Sequence, residues 1–387
     1  MSRNGAPWVL VAGGVNRHGG MEKANFALVE YLLERNIPVH VVTHHIEETL
    51  LSHRDLRVDR VAVPVRSWLA GERLLSVRGR QVAYRTTQLH PGARVVVNGG
   101  NCLWGDINWV HCVHHAWTSG VIDGPWIHRQ KHRLAAAAAK RREIRSLRAA
   151  KLVIANSPLT RRHLIEFLEM KPDAVHAVQL GSESNWMPVT TMEREAARQH
   201  LGLVPGKLVI AFIGAIGYDN NKGLDILLRS WGELRRQPGW DADLIIAGDG
   251  RALPQWKNRV SMTDFSQNIH FLGFTQRIPE VLAAADLLVS PVRYESYGLN
   301  VQEALCRGIP AIVSAGAGVA DRYPRQLSAL LLPDPEDTAD LTRRIIMWRS
   351  ARQYWKERVV EFSNELRAYS WRDMAERFYQ LAAGASA

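Results

Sequence analysis

Short runs of apolar residues alternate along the chain with segments whose apolar positions recur every three or four residues. WVLVA (8–12) has the length and composition of a buried strand, and Glu22 to Glu34 places Phe26, Val29, Leu32 and Leu33 at helical spacing. VHVVTHH (39–45), RVVVNGG (94–100), INWVHCVHH (107–115) and AKLVIANS (150–157) read as further strands, the last trailed by a helix over Pro158 to Glu169. The pattern restarts with KLVIAFIGA (207–215), a helix over Gly223 to Arg236, ADLIIAGDG (242–250) and NIHFLGF (268–274). It closes with a helix over Ile278 to Ala284, DLLVSP (286–291), a helix near Leu299 to Arg307 and PAIVSA (310–315).

This alternation predicts an α/β chain with largely parallel sheets. At 387 residues the chain exceeds one ordinary core. Between the two runs, GSESNWMPVTTM (181–192) lacks periodicity and suits a connection. The expected domains are therefore two Rossmann-like halves, 1–183 and 184–368, with a closing helix over 369–387 that packs back on the first. Parallel sheets bind ligands beyond the carboxyl ends of their strands. Four polar clusters fall at such ends, GGVNRHGG, HHAW, GYDNNKG and RYESYG, and two halves facing each other would line one cleft with them.

Composition excludes more than it selects. Cys102, Cys112 and Cys306 form no zinc-like pattern and cannot all pair, which fits a reducing, cytoplasmic setting. The longest run of small apolar residues, Leu134 to Ala139, is too short to span a bilayer, and the first apolar run leads into a glycine loop in the manner of a strand rather than a signal peptide. The net charge of +11 is concentrated: nine basic residues stand against one acid, Glu143, between Trp126 and Lys151. That segment is either a solvated helix face or a surface for anionic lipid, which would make the protein peripheral on the inner face of a membrane.

The loop 13–20 holds Gly14, Gly19 and Gly20, with His18, between a strand and a helix, so backbone can approach a ligand there. It is neither G-x-G-x-x-G nor a Walker loop, which argues against a nicotinamide enzyme. In ESYGLNVQEA, Glu295 lies in the loop after a strand and Glu303 in the following helix. Carboxylates there can accept paired hydroxyl hydrogen bonds, and the amides of Tyr297, Gly298, Leu299 and Asn300 at the helix start suit a diphosphate. A literal D-x-D, Asp241 to Asp243, precedes a strand and reads as a turn; no metal site is expected.

The stretch SPVRYESYGLNVQEALCRGIPAIVSAGAG (290–318) resembles the donor-site signature of the retaining group 1 glycosyltransferases, glycosyltransferase family 4. GGVNRHGGMEKA, IGAIGYDNNKGLDIL, DLIIAGDG, IHFLGFTQRIPEVLAAADLLVSP, AVQLGSESNWMP and AYSWRDMAERFYQL are similar to the family's other conserved segments in order and spacing. The resemblance implies a GT-B fold, a nucleotide diphosphate sugar as donor rather than a cofactor, an acceptor that is a glycan, a lipid-linked sugar or a small molecule, and retention of configuration. By position it implies that Glu303 binds the nucleoside ribose, Glu295 lies near the donor sugar, and Lys222 meets the diphosphate beside Gly214 and Gly217. The family's strand-end histidine matches His114, with His115 the other possibility and His111 earlier on the same run. Adjacent strand residues point to opposite faces, so only one of His114 and His115 is expected to face the site, and the three are not expected to ligate zinc.

One position departs from the family: Gly214 is followed by Ala215 where many relatives carry arginine, so Arg293 or Arg17 is expected to replace that cation, or Gly217-Tyr218 to reshape the loop. The competing functions are another GT-B enzyme, a sugar-nucleotide epimerase or phosphorylase, and a nonenzymatic basic module for membrane or nucleic acid. Carboxylates at the strand ends oppose the last, and no nucleic acid partner is expected.

Overall fold

A computed structural model describes residues 5–64, 68–117 and 123–384. The chain divides into two compact units, the first comprising described residues up to 117, 131–181 and from 370 onward, the second 123–130 and 182–369.

The first unit is built on strands β1 (Trp8–Val11), β2 (Gly14–Val15), β3 (Val39–Thr43), β4 (His45–Ile46), β5 (Leu56–Arg60), β6 (Arg94–Asn98), β7 (Ile107–Val110), β8 (Leu152–Ala155) and β9 (Val175–Ala177). Its helices are α1 (Gly20–Glu34), α2 (Trp68–Leu89), α3 (Trp126–Ala149) from residue 131 onward, α4 (Pro158–Leu168) and a closing helix. Seven strands form one parallel sheet in the order β5-β3-β1-β6-β7-β8-β9, while β2 and β4 pair separately. The central strands β1, β7 and β8, and β6 from Val95 on, are buried throughout because helices cover both sheet faces.

Several expected boundaries move. The strand expected over 107–115 ends at Val110, and residues 114–116 form a turn closed by the Ala116 amide on the Val113 carbonyl (3.1 Å). The helix expected to reach Glu169 stops at Leu168 because Glu169 turns left-handed (φ 54°). β5 and α2 were absent from the expected order. β5 alternates apolar and charged residues only from Leu56 to Asp59, a run too short to stand out, and α2 exposes Leu74, Val77 and Tyr84 as well as burying Leu75, Val82 and Ala83, which blurs its period.

The second unit contains α5 (Thr191–His200), β10 (Leu208–Ile213), α6 (Leu224–Leu234), β11 (Ala242–Ala247), α7 (Leu253–Ser261), β12 (Ile269–Gly273), α8 (Ile278–Ala284), β13 (Leu287–Ser290), α9 (Leu299–Cys306), β14 (Ala311–Ser314), β15 (Leu331–Leu332), α10 (Thr338–Ser350) and α11 (Arg352–Arg367). Its parallel sheet runs β12-β11-β10-β13-β14-β15. The last helix, α12 (Trp371–Gly384), belongs to the first unit, where Met374, Ala375, Phe378 and Ala382 form a buried stripe. Phe378 meets Trp109 at 4.5 Å between ring centroids, and Tyr379 stacks on Trp8 at 5.7 Å.

In each main sheet the strand order reverses direction beside the first strand, between β1 and β6 and between β10 and β13. Loops leaving the carboxyl ends on either side of such a reversal diverge and leave a crevice for ligands. In the second unit the neighbouring turns also come into direct backbone contact: Gly248 (φ 151°) leaves no room for a Cβ against the Gly214 carbonyl, and Gly223 (φ 73°) none against that of Pro291. Gly248→Ala is therefore expected to lower unfolding stability by roughly 2–4 kcal/mol, combining backbone strain with a steric overlap. Urea unfolding checks this, and a midpoint equal to the parent's would show that the turns have room to part.

Candidate functional site

In the second unit, the loop after β10 and the loop after β13 flank the strand reversal, and side chains lace them together. Asn221 donates to the Tyr294 carbonyl (3.0 Å) and accepts from the Tyr294 amide (3.1 Å), while the Arg293 amide donates to the Asn221 carbonyl (2.9 Å). Asn300, on the first turn of α9, donates to the Ile213 carbonyl at the end of β10 (2.8 Å). The loop 293–298 is also tied to its other neighbour: the Glu295 carbonyl accepts from the Gly318 amide (3.0 Å) and that of Tyr297 from the Val319 amide (2.6 Å).

This lacing brings Lys222 and Glu295 together as an ion pair between Nζ and Oε2, both side chains partly accessible. The stem of Lys222 lies on Gly214, where an added Cβ would stand 3.1 Å from its Cγ. Gly217 is needed nearby because Asp219 folds back over it, with Oδ1 2.7 Å from where a Cβ would sit. Gly298 (φ 103°) starts α9, with Leu299 and Asn300 as its first helical residues. Tyr297 is buried beneath, its hydroxyl donating to Gln302, and burial raises its pKa. Glu303 is half-buried one turn into α9.

Both arginines expected to replace the missing loop cation are engaged elsewhere. The Arg293 guanidinium makes a bidentate pair with Asp225 (2.8 Å and 2.8 Å), contacts Glu336 at 2.6 Å, and donates to the Asn220 carbonyl. Its hydrogen bonds to the Asp225 carboxylate raise its pKa, so it remains a fixed cation that shapes the loop 220–225. Arg17 lies over the Phe26 ring (4.1 Å) and pairs with Glu30 at 3.1 Å. Asp241 and Asp243 both pair with Lys207, at 3.3 Å and 2.7 Å, at the amino end of β11.

The first unit's glycine loop is not a simple turn. Gly14 lies in β2, and Gly19 (φ 78°) precedes Gly20 at the start of α1. A Cβ on Gly14 or Gly19 would meet the Glu22 side chain at 2.8 Å or 2.6 Å, so a carboxylate from the first turn of α1 already lies along the loop. Its charge occupies the place that a helix start offers an anion. His18 is exposed, and its amide donates to Asn16 Oδ1 (2.8 Å).

After β7 the expected opposition of His114 and His115 is overturned, because these residues lie in a turn and not in a strand. Both Nδ1 atoms meet the same buried carboxylate, Glu143 on α3, at 3.0 Å and 2.7 Å. Burial pushes the Glu143 carboxyl up, but hydrogen bonds from the two rings and the His114 amide outweigh this and hold it below the ordinary range. His111 does not join them. Its ring lies 4.7 Å from that of Trp109, and burial pushes the imidazole down to about 3, so it stays neutral. In the sequence Glu143 stands out only as one acid in a basic run. The available signal was a lone acid on the stripe Glu143, Ser146 and Leu147, whose i, i+3, i+4 spacing marks the buried face of an otherwise basic helix.

Residues 18–183 match the family described as Glycosyltransferase Family 4, and residues 207–347 the family described as Glycosyl transferases group 1. Mannosylfructose-phosphate synthase of Agrobacterium fabrum is 28% identical over 61% of this chain, and the match spans about half of that relative's length (54%). Among solved structures, WaaG, titled as a glycosyltransferase involved in lipopolysaccharide biosynthesis, superposes with a TM-score of 0.74 over 97% of this chain and all of its own, at 17% identity. Anabaena Alr3699/HepE, solved in complex with UDP and glucose, gives 0.70 over 98% and 99%, at 16% identity. These likenesses show that the fold is GT-B.

Proposed function

We propose, for a chain that belongs to the group 1 glycosyltransferases with an amino-terminal half of family 4, that it transfers a sugar from a nucleoside diphosphate donor to an acceptor hydroxyl with retention of configuration. The observation that carries this reading is the Lys222–Glu295 pair at the strand reversal beside the amino end of α9. A departing diphosphate gains negative charge as the glycosidic bond breaks, and a fixed ammonium and helix-start amides stabilise that charge more than they stabilise the ground state. Lys222 is held for this by Gly214 beneath its stem. Glu295, released from the ammonium as the diphosphate takes its place, is left to accept hydrogen bonds from the donor sugar. Glu303 accepts from the ribose hydroxyls, and His114 contacts a sugar hydroxyl from the first unit. The binding of UDP and glucose by HepE supports a nucleotide donor of this class. With Lys222 supplying the cation, no divalent metal is needed.

The acceptor is proposed to be a lipid-linked or lipopolysaccharide-type glycan, reached at an anionic membrane surface. Support comes from α3, where Trp126, Ile127 and Leu134 are exposed (65%, 59% and 73%) among basic residues. Exposed apolar side chains beside cations match an interfacial helix better than a merely solvated one. Among the described residues no helix is long and apolar enough to cross a membrane.

Thermal melts with UDP-glucose, UDP-N-acetylglucosamine, GDP-mannose and ADP-glucose are expected to show stabilisation by one donor, followed by sugar transfer that EDTA leaves unchanged. Stabilisation by none of them, or EDTA-sensitive turnover, would count against this reading. Glu303→Ala is expected to weaken binding of the matching nucleoside diphosphate by about 1.5–3 kcal/mol, the scale of hydrogen bonds to a charged group; calorimetry on the folded variant checks it. Flotation should recover the protein with anionic but not neutral vesicles and lose it at high salt.

A further inference from the structure

The turn after β7 carries an arrangement that the family likeness leaves unassigned. Glu143 is 1% exposed and divides its two oxygens evenly between neighbours. Oε1 accepts from the amide (2.9 Å) and Nδ1 (3.0 Å) of His114, and Oε2 from the amide (3.3 Å) and Nδ1 (2.7 Å) of His115. An ionised carboxylate only accepts, so the ring hydrogen sits on Nδ1 in both imidazoles. With the hydrogen on Nδ1, Nε2 is the nitrogen through which an imidazole accepts. The two side chains keep 34% and 21% of their surface while their common partner is sealed away.

We propose that Glu143 is a positioning residue that fixes His114 and His115 in one tautomer, so that the pair offers two Nε2 acceptors to two hydroxyls of a sugar. This rests on the transferase reading above, which brings a sugar to the histidine turn. An acid serving only to close the turn would be satisfied by the two amides. Here each oxygen also holds a ring, and the consequence is two acceptors of fixed direction with no donor between them. Such a pair favours hydroxyl groups, which donate, and the residues flanking Glu143 do not compete for its oxygens: Arg142 is paired with Glu72 at 2.6 Å, and Ser146 donates to the Cys102 carbonyl at 2.8 Å. The second histidine thereby acquires a role equal to that of the first.

Imidazole nitrogen NMR of the full chain, with rings assigned through His114→Gln and His115→Gln, tests the tautomers without any substrate. Nδ1–H is expected in both rings of the parent. In Glu143→Gln an amide NH2 replaces one acceptor oxygen, and one ring is expected to switch to Nε2–H. With whichever of the four donors named above supports turnover, Glu143→Gln should lower kcat by about tenfold or more and leave donor KM within about twofold. The same change made in the His114→Ala/His115→Ala background should cost less than about twofold further. Nε2–H in either ring of the parent, unchanged tautomers in Glu143→Gln, or a full loss repeated in the double-alanine background would overturn the proposal. Absence of turnover with every donor would instead overturn the transferase reading, and the parent spectrum decides the tautomers even if Glu143→Gln fails to fold.

Discussion

Backbone meeting backbone where the chain leaves the carboxyl ends of β10, β11 and β13 is the constraint on which the second unit's chemistry depends. Glycines 223 and 248 exist in conformations that ordinary residues avoid, and both leave no space for a side chain. Close approach lets the short side chains of Asn221 and Asn300 reach across by direct hydrogen bonds. Loops set further apart would need water or longer side chains to cross, with more rotamer freedom to lose. The ion pair between Lys222 and Glu295 is then a product of backbone geometry. It need not supply the stability of the loops, which is consistent with the small net worth of accessible ion pairs.

The same geometry accounts for the departure at Ala215. Ala215 is exposed, and the loop that bears it is shaped from below by Arg293, whose guanidinium is committed to Asp225, Glu336 and the Asn220 carbonyl. Pulling that arginine toward a phosphate would trade the bidentate pairing of the mostly buried Asp225 for its longer contact to Arg229 (3.6 Å), at a cost. Arg293 therefore acts as scaffold, and Lys222 is the loop's cation that remains partly accessible and is carried on a glycine. The carboxylate it faces keeps it from lying unpaired.

The order of elements in both sheets was largely legible because buried parallel strands are short, apolar and bounded by glycine or polar turns. The sequence puts Lys222 and Glu295 in two separate strand-end clusters, GYDNNKG and RYESYG; their contact requires the strand order β10-β13, which no local pattern contains. The histidine turn failed for a different reason. INWVHCVHH alternates well enough to continue a strand, but the chain leaves the sheet at Val110, and the period-two rule that separated His114 from His115 ceases to apply there. α2 was missed because its exposed leucine, valine and tyrosine blur the polar face that periodicity needs. At the glycine loop, spacing carries no sign of Glu22, whose proximity depends on the entry angle of α1.

Helix α3 combines two roles that net charge merges into one number. Its first half is exposed and cationic, carrying apolar side chains that water does not favour, while its second half turns Glu143, Ser146 and Leu147 inward. A buried carboxylate is costly unless it is fully hydrogen-bonded. Here the histidine turn provides that satisfaction from two amides and two rings, so the position of the turn and the depth of the acid are mutually dependent. A helix that met a charged surface at one end and had no such anchor at the other would be free to slide or roll with its load. The one acid of the helix thus ties its second half to the histidine turn, whatever its cationic first half meets.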